Sequence, residues 1–386
     1  MSRGKPHPSD ESDALVALAL CPGLGPRRIR ALLDACGGAA SAWEALRTRA
    51  GRALWGRIAG PSATEAAAGM SPAARVAAEK EALARIDARI VTARDAEYPK
   101  RLEHLPDPPP VLFCRGRALA AGTAVAIVGT RRASENGRQA AFDLAFQLAG
   151  GGCAVISGMA RGIDAAAHAG ALAAGGPTVA VLGCGLDVLY PPQHRQLAAR
   201  IANAGTLITE FPCGTPPERS HFPRRNRIIA ALAAAVAVVE APRGSGALIT
   251  VEHALDLGID VFVVPGDAAR ESCRGSNELL RDGAKVALDA ADIWAELSEV
   301  GRAIGGHRAG VIAALGRGPL GIEQIAAAIG TSVPAALALI GELEVNGLVR
   351  RGPDRRYALS RSPAARPGRR TAERRNAAPG GVLEGR

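Results

Sequence analysis

At 386 residues the chain is long enough for two or three domains, and its 48% hydrophobic and 22% charged residues are ordinary for a soluble globular protein. A formal charge of +10, nearly all of it arginine, favours polyanionic partners, since arginine suits bidentate phosphate contact better than lysine. Seven scattered cysteines without a C-x-x-C pair argue against a zinc site or a disulfide framework.

Residues 1–12 are polar, lack the apolar core of a signal peptide and read as a disordered N-terminus. Residues 13–75 read as a helical domain of the helix–hairpin–helix or SAM-like kind. In "DALVALALCPGLGPRRIRALLDACGG" the break falls at "PGLGP", where Gly23 and Gly25 permit a tight turn. Arg27, Arg28 and Arg30 follow at once. Such a hairpin either holds DNA phosphates on its backbone N–H groups or serves as a packing module. A further helix is expected near 72–88, then an irregular, proline-rich segment, "DAEYPKRLEHLPDPPPVLFCRG".

Residues 76–298 carry the alternation of an α/β protein. Short apolar runs at 124–129, 154–158, 178–183, 206–211, 235–241, 260–266 and 285–289 are separated by Ala- and Leu-rich helical segments. Uninterrupted apolar strands joined by helices predict an extended Rossmann-like, doubly wound, mostly parallel sheet covered on both faces. Residues 306–360 read as three helices and two short strands around "RRGPDRR", the winged-helix order, with the second long helix at 332–346. That helix carries Glu342 and Glu344 and no basic residue, which favours a packing or partner role over groove reading. Residues 361–386 read as a disordered basic tail. No apolar stretch has the composition of a membrane span, because "IIAALAAAVAVVEAP" is broken by Glu240 and Pro242. A cytoplasmic protein with no membrane partner is expected.

Ligands of open parallel sheets bind beyond the carboxyl ends of the strands. The loops predicted there carry Gly129, Arg131 and Arg132; Ser157, Gly158, Arg161 and Gly162; Tyr190; Phe222, Arg224, Arg225, Asn226 and Arg227; and Ser245 and Gly246. Glycines, helix N-termini and six arginines on one edge suit several successive phosphates better than a single nucleotide. Three of those arginines sit in "HFPRRNR", at the start of a helix whose unpaired N–H groups are already positive, so they demand an anion. Nearby carboxylates, Glu210, Glu218 and Glu240, are the internal candidates. Phe222 and Tyr190 either stack a base or pack at the loop root. Asp164 reads as a helix cap and His168 as a packed, hydrogen-bonded histidine. P-loop, G-x-G-x-x-G, H-E-x-x-H and G-x-S-x-G patterns are all missing, and no cofactor or metal is implied.

The blocks "AIVGTRRASENG", "SGMARGIDAAAH", "VLGCGLDVLYP", "FPRRNRIIAAL", "SGALIT" and "VPGD…RGSNELLRDGAK" together resemble the DNA-processing protein A family, DprA or Smf, through most of residues 90–296. The resemblance implies a homodimeric, non-catalytic protein that binds and protects single-stranded DNA and loads the RecA recombinase during natural transformation. It implies a DNA pocket at Gly129 and Arg131; at Ser157, Gly158, Arg161 and Gly162; and at Phe222, Arg224, Arg225, Asn226 and Arg227. Thr130 stands for the family's serine, and Ser245-Gly246-Ala247 for its serine-glycine-serine. The alternative is a nucleotide-binding or phosphoribohydrolase enzyme of the lysine-decarboxylase-like type, for which "PRGSGALITVEHALDLG" offers Glu252 as the acid.

Overall fold

The computed structural model describes residues 11–119, 122–304, 306–345 and 347–360. Of the N-terminal segment read as disordered, residues 1–10 lie outside the described residues, while Glu11 and Ser12 open the first helix. The tail 361–386 also lies outside them.

Six helices come first: α1 (Glu11–Ala19), α2 (Pro26–Cys36), α3 (Ala39–Ala45), α4 (Arg49–Ala59), α5 (Pro61–Gly69) and α6 (Pro72–Ala84). The break between α1 and α2 is the predicted hairpin, with Gly23 at φ +79° and Arg28 closing back onto its carbonyl at 2.9 Å. Leu15, Leu18, Trp43 and Trp55 of this region share one apolar cluster with Phe113, Ala180 and Leu207 of the sheet. The buried Glu79 carboxylate accepts the Cys213 N–H at 2.7 Å, tying α6 to the loop after the sheet's fourth parallel strand. Packing against the sheet is thus what this helical region visibly does, while Arg27, Arg28 and Arg30 remain exposed.

The sheet begins earlier than the sequence predicts. Strands β1 (Ala88–Thr92) and β2 (Val111–Gly116) pair antiparallel, and the proline-rich stretch between them is pinned by Tyr98 donating to the Pro109 carbonyl at 2.7 Å. "VLFCRG" is therefore a strand, not irregular chain, because a later strand at Thr206–Thr209 offers it an antiparallel partner across nearly a hundred residues. The alternating unit follows as β3 (Ala124–Gly129), α7 (Glu135–Gly150), β4 (Ala154–Ser157), α8 (Ile163–Ala173), β5 (Thr178–Val181), α9 (Arg195–Ala204) and β6 (Thr206–Thr209). It continues through α10 (His221–Leu232), β7 (Ala235–Val239), α11 (Gly246–Asp256), β8 (Asp260–Val264), α12 (Glu271–Arg281), β9 (Lys285–Val286) and α13 (Ala290–Ile304).

Among the described residues the main sheet has nine strands in the order β1-β2-β6-β5-β4-β3-β7-β8-β9, parallel from β6 to β9. Strands β3 to β7 are buried almost throughout, as both-face coverage requires. Helix α10 is buried on every side from Arg225 to Leu232, marking it as a central element rather than a surface one. The chain reverses its winding between β3 and β7, which places a crevice at their carboxyl ends. A winged-helix unit completes the fold: α14 (Gly306–Gly316), α15 (Ile322–Ala328), α16 (Val333–Val345), β10 (Val349–Arg351) and β11 (Tyr357–Leu359). Its core of Val311, Ile340, Leu343 and Leu348 also takes in Phe146 of α7. A side chain on Gly150, at the end of α7, would collide with Leu348. No single described helix is long and apolar enough to cross a membrane.

His168 is the packed histidine expected. Thr178 donates its hydroxyl to the Val155 carbonyl at 2.8 Å, so it accepts from the Nδ1–H of His168, also at 2.8 Å. Burial, helped by the neighbouring His194 and Arg225, pushes His168 down to about 3. Between that value and the 6.5 of an exposed histidine, the unfolded chain takes up a proton that the folded chain refuses. Stability is therefore intact above about pH 6.5 and should fall by up to roughly 1.4 kcal/mol per pH unit on acidification toward 3. Urea titrations of wild type and His168→Gln at several pH values check this, the variant losing this component of the acid dependence.

Candidate nucleic-acid interface

At the carboxyl edge of the sheet a cavity of about 230 Å³ opens into a groove of about 810 Å³. Both share Arg131, Arg132, Ala160, Tyr190, Phe222 and Arg225. The loops after β3, β4, β5, β6 and β7 all contribute to the walls, as expected of the edge beyond a switch point.

Arg131, Arg132 and Arg161 stand exposed on this surface, and among the described residues none of them pairs with a carboxylate. Arg131 lies over the Phe222 ring, 5.1 Å from its centroid, and the Tyr190 ring tilts against Phe222 at 5.5 Å. A guanidinium and two aromatic faces thus meet in one place, one wet and charged, the other able to stack. Arg219 adds a fourth exposed, carboxylate-free arginine on the groove wall. Sequence reasoning passed over it because it stands alone in "PPERS" with no glycine turn beside it.

The "RRNR" arginines divide differently than their adjacency predicts. Arg227 is buried, its guanidinium bonded to Asp107 at 3.1 Å and to both oxygens of Glu210, whose side chain is 2% exposed, at 2.9 and 3.0 Å. Arg224, one helical turn earlier, reaches the same Glu210 from outside at 2.9 Å. The anion awaiting these two is therefore an internal carboxylate, and neither lines the cavity or the groove. Glu218 lies instead beside His221 at 3.7 Å, and Glu240 turns to Ser134.

Arg225 forms part of the floor. It donates to the carbonyls of Gly158, at 3.0 Å, and Val181, while Asp164 accepts the Gly158 and Ala160 N–H groups at 3.1 and 3.2 Å. Burial pushes Arg225 down to about 10, with Asp164 acting to raise it, so it stays charged at neutral pH. Burial likewise pushes the Asp164 carboxyl up, against Arg225 and the two N–H groups. Asp164 is thus not the cap of α8, whose N-cap is Gly162; its carboxylate clamps the preceding loop. Asn226 donates to the Gly246 carbonyl at 3.0 Å and extends the scaffold to the loop after β7.

Ser157 is corrected as well. It is fully buried and donates to the Ile127 carbonyl at 2.6 Å, so its hydroxyl braces two strands and does not face the cleft. Gly158 and Gly129 do line the cleft, as do Ser245 and Gly246. Gly162, at φ +77°, instead permits a close approach, for a side chain there would strike the Thr130 carbonyl. Glu252, the acid of the enzymatic alternative, is exposed on α11 and lines neither the cavity nor the groove. Among the described residues no group of three His, Cys, Asp or Glu is placed to hold a metal ion. All seven cysteines are free.

Removing Arg227 leaves the Glu210 carboxylate with Arg224 alone, so Arg227→Ala should cost about 3 kcal/mol in chemical denaturation, the lower end for a broken buried pair. Arg131→Ala, at the surface, should stay within about 0.5 kcal/mol.

Residues 89–298 match the family described as DNA recombination-mediator protein A, and residues 305–355 match the DprA winged helix domain. Protein Smf of Synechocystis is 42% identical over 217 residues, covering 55% of this chain and 54% of that protein. The DNA processing protein DprA of Bacillus subtilis is 40% identical over 205 residues, covering 53% and 69%. The chain's match therefore spans only about half of the Synechocystis protein's length. The X-ray structure of DprA from Streptococcus pneumoniae superposes with a TM-score of 0.59 at 30% identity, covering 74% of this chain and 97% of that one. DNA processing protein A from Helicobacter pylori, which binds single-stranded DNA, superposes with a TM-score of 0.50 at 30% identity, covering 55% and 97%. By sequence and by fold, the chain belongs to the DNA recombination-mediator protein A family, DprA or Smf.

Proposed function

We propose that the chain binds single-stranded DNA in this cleft without catalytic turnover, protects it, and as a homodimer passes it to the RecA recombinase. The observation that carries the DNA reading is the group of four exposed, carboxylate-free arginines set around the Phe222–Tyr190 ring pair. A single strand offers what that surface accommodates: phosphates at intervals and base faces free to stack. A duplex hides those faces, and a lone nucleotide leaves most of the arginines without a phosphate. The single-stranded DNA binding of the H. pylori relative supports the same reading. RecA transfer and dimerisation rest on family membership alone.

Fluorescence anisotropy with a labelled oligo-dT strand across a salt series is the test. Four phosphate contacts at roughly 0.7 each give a slope of log K against log salt near −3. Arg131→Ala/Arg132→Ala/Arg161→Ala should flatten the slope to about −0.7. A flat wild-type slope, or a triple variant that binds like wild type, removes the cleft from consideration. Because arginine stays charged throughout, affinity should not vary between about pH 6 and 9. For the recombinase, co-capture of the cognate RecA in the presence of single-stranded DNA is expected, and its failure would count against the loading role.

A further inference from the structure

In an open parallel sheet the first βα turn beside the switch point is where a ligand's phosphate ordinarily meets a helix N-terminus. Here that turn joins β3 to α7, and the seat is taken from within. The Glu240 carboxylate, nearly buried, accepts the Ser134 N–H at 2.8 Å and the Ser134 hydroxyl as well. Ser134 in turn caps α7 by accepting from Gly137 at 3.0 Å. Gly137 is required for this, because a side chain there would lie 2.6 and 2.9 Å from the carboxylate oxygens. At the other end of the same turn, the Glu240 carbonyl accepts the Thr130 N–H at 2.7 Å. To make both contacts Glu240 adopts φ +46°, a left-handed conformation uncommon for glutamate that persists only where its surroundings enforce it.

We propose that Glu240 is a positioning residue for single-stranded DNA: it fills the anion seat of α7 and grips both ends of the 130–134 turn, so that Arg131 and Arg132 meet the strand from outside. This rests on the DNA reading given above. With the inner seat occupied, a ligand phosphate is handled by side chains on the rim, which suits a passing polyanion and disfavours a single nucleotide phosphate.

Hydrogen–deuterium exchange of the free protein tests the grip without DNA. Glu240→Gly, which relieves the backbone while removing the carboxylate, should speed exchange across residues 129–138. Unchanged exchange there would overturn the proposal. With oligo-dT, the same variant should lose about tenfold or more in affinity. Its salt slope should fall by about 1.4, the share of two phosphates. Arg131→Ala/Arg132→Ala should do the same, and the combined variant should lose nothing further. An unaltered slope, or a fully additive loss, would mean that Glu240 only stabilises the fold. Sodium formate, compared with chloride at equal ionic strength, should restore affinity to Glu240→Gly by refilling the seat, and no restoration would count against that part. If Glu240→Gly does not fold, Glu240→Gln, which keeps one acceptor, should show intermediate exchange and slope, and wild-type values for both would overturn the proposal. A wild type that fails to bind oligo-dT, with exchange in Glu240→Gly still accelerated, would defeat the DNA reading and leave the grip standing.

Discussion

A guanidinium buried at the floor of the cleft organises the ligand edge of this protein. Arg225 places its positive charge among the carbonyls of Gly158 and Val181, with the Asp164 carboxylate acting on it. A buried charge is tolerable only when its donors are met and an opposite charge lies near. Meeting those conditions forces the loops after β4 and β5 to converge on the first turns of α10. Asn226, next in sequence, draws in the loop after β7 through Gly246. The walls of the groove are therefore held by one short piece of helix. That rigidity lets the outer arginines be solvated yet still occupy defined positions.

The arginines illustrate how far adjacency can mislead. Arg224, Arg225 and Arg227 lie within four residues, but successive residues on a helix are turned by about 100°, so neighbours face different surroundings. Arg224 and Arg227 share a face and a carboxylate, Glu210, while Arg225 between them points into the sheet edge. The other partner of Arg227, Asp107, is 120 residues away in a segment whose prolines conceal its role. No local pattern could have paired them. Nor could spacing show that the Ser157 hydroxyl faces inward to Ile127, since a strand's last residue can turn to either face.

What was legible follows from short-range physics. Apolar runs revealed the parallel strands to within a few residues, because both faces of each are covered and no polar residue interrupts them. Loops with glycine and arginine after those strands come together around one cavity and groove, since the carboxyl ends of parallel strands all open on one side. β1 and β2 escaped notice because their pairing is antiparallel and long-range, and because three consecutive prolines precede β2. Arg219 escaped because a lone exposed arginine carries no signal until its neighbours are placed in space.

Helix α7 has one more consequence. It starts at Glu135, just past its cap Ser134 beside the arginine turn, and ends at Gly150, against Leu348 of the winged-helix unit. Sixteen residues at 1.5 Å each make a rod about 24 Å long with no proline along it to bend it. The two ends cannot approach or separate while both are seated. The rod acts as a ruler: anything carried by the winged helix is kept at a set distance from whatever lies in the groove, and a pull on either end is felt at the other.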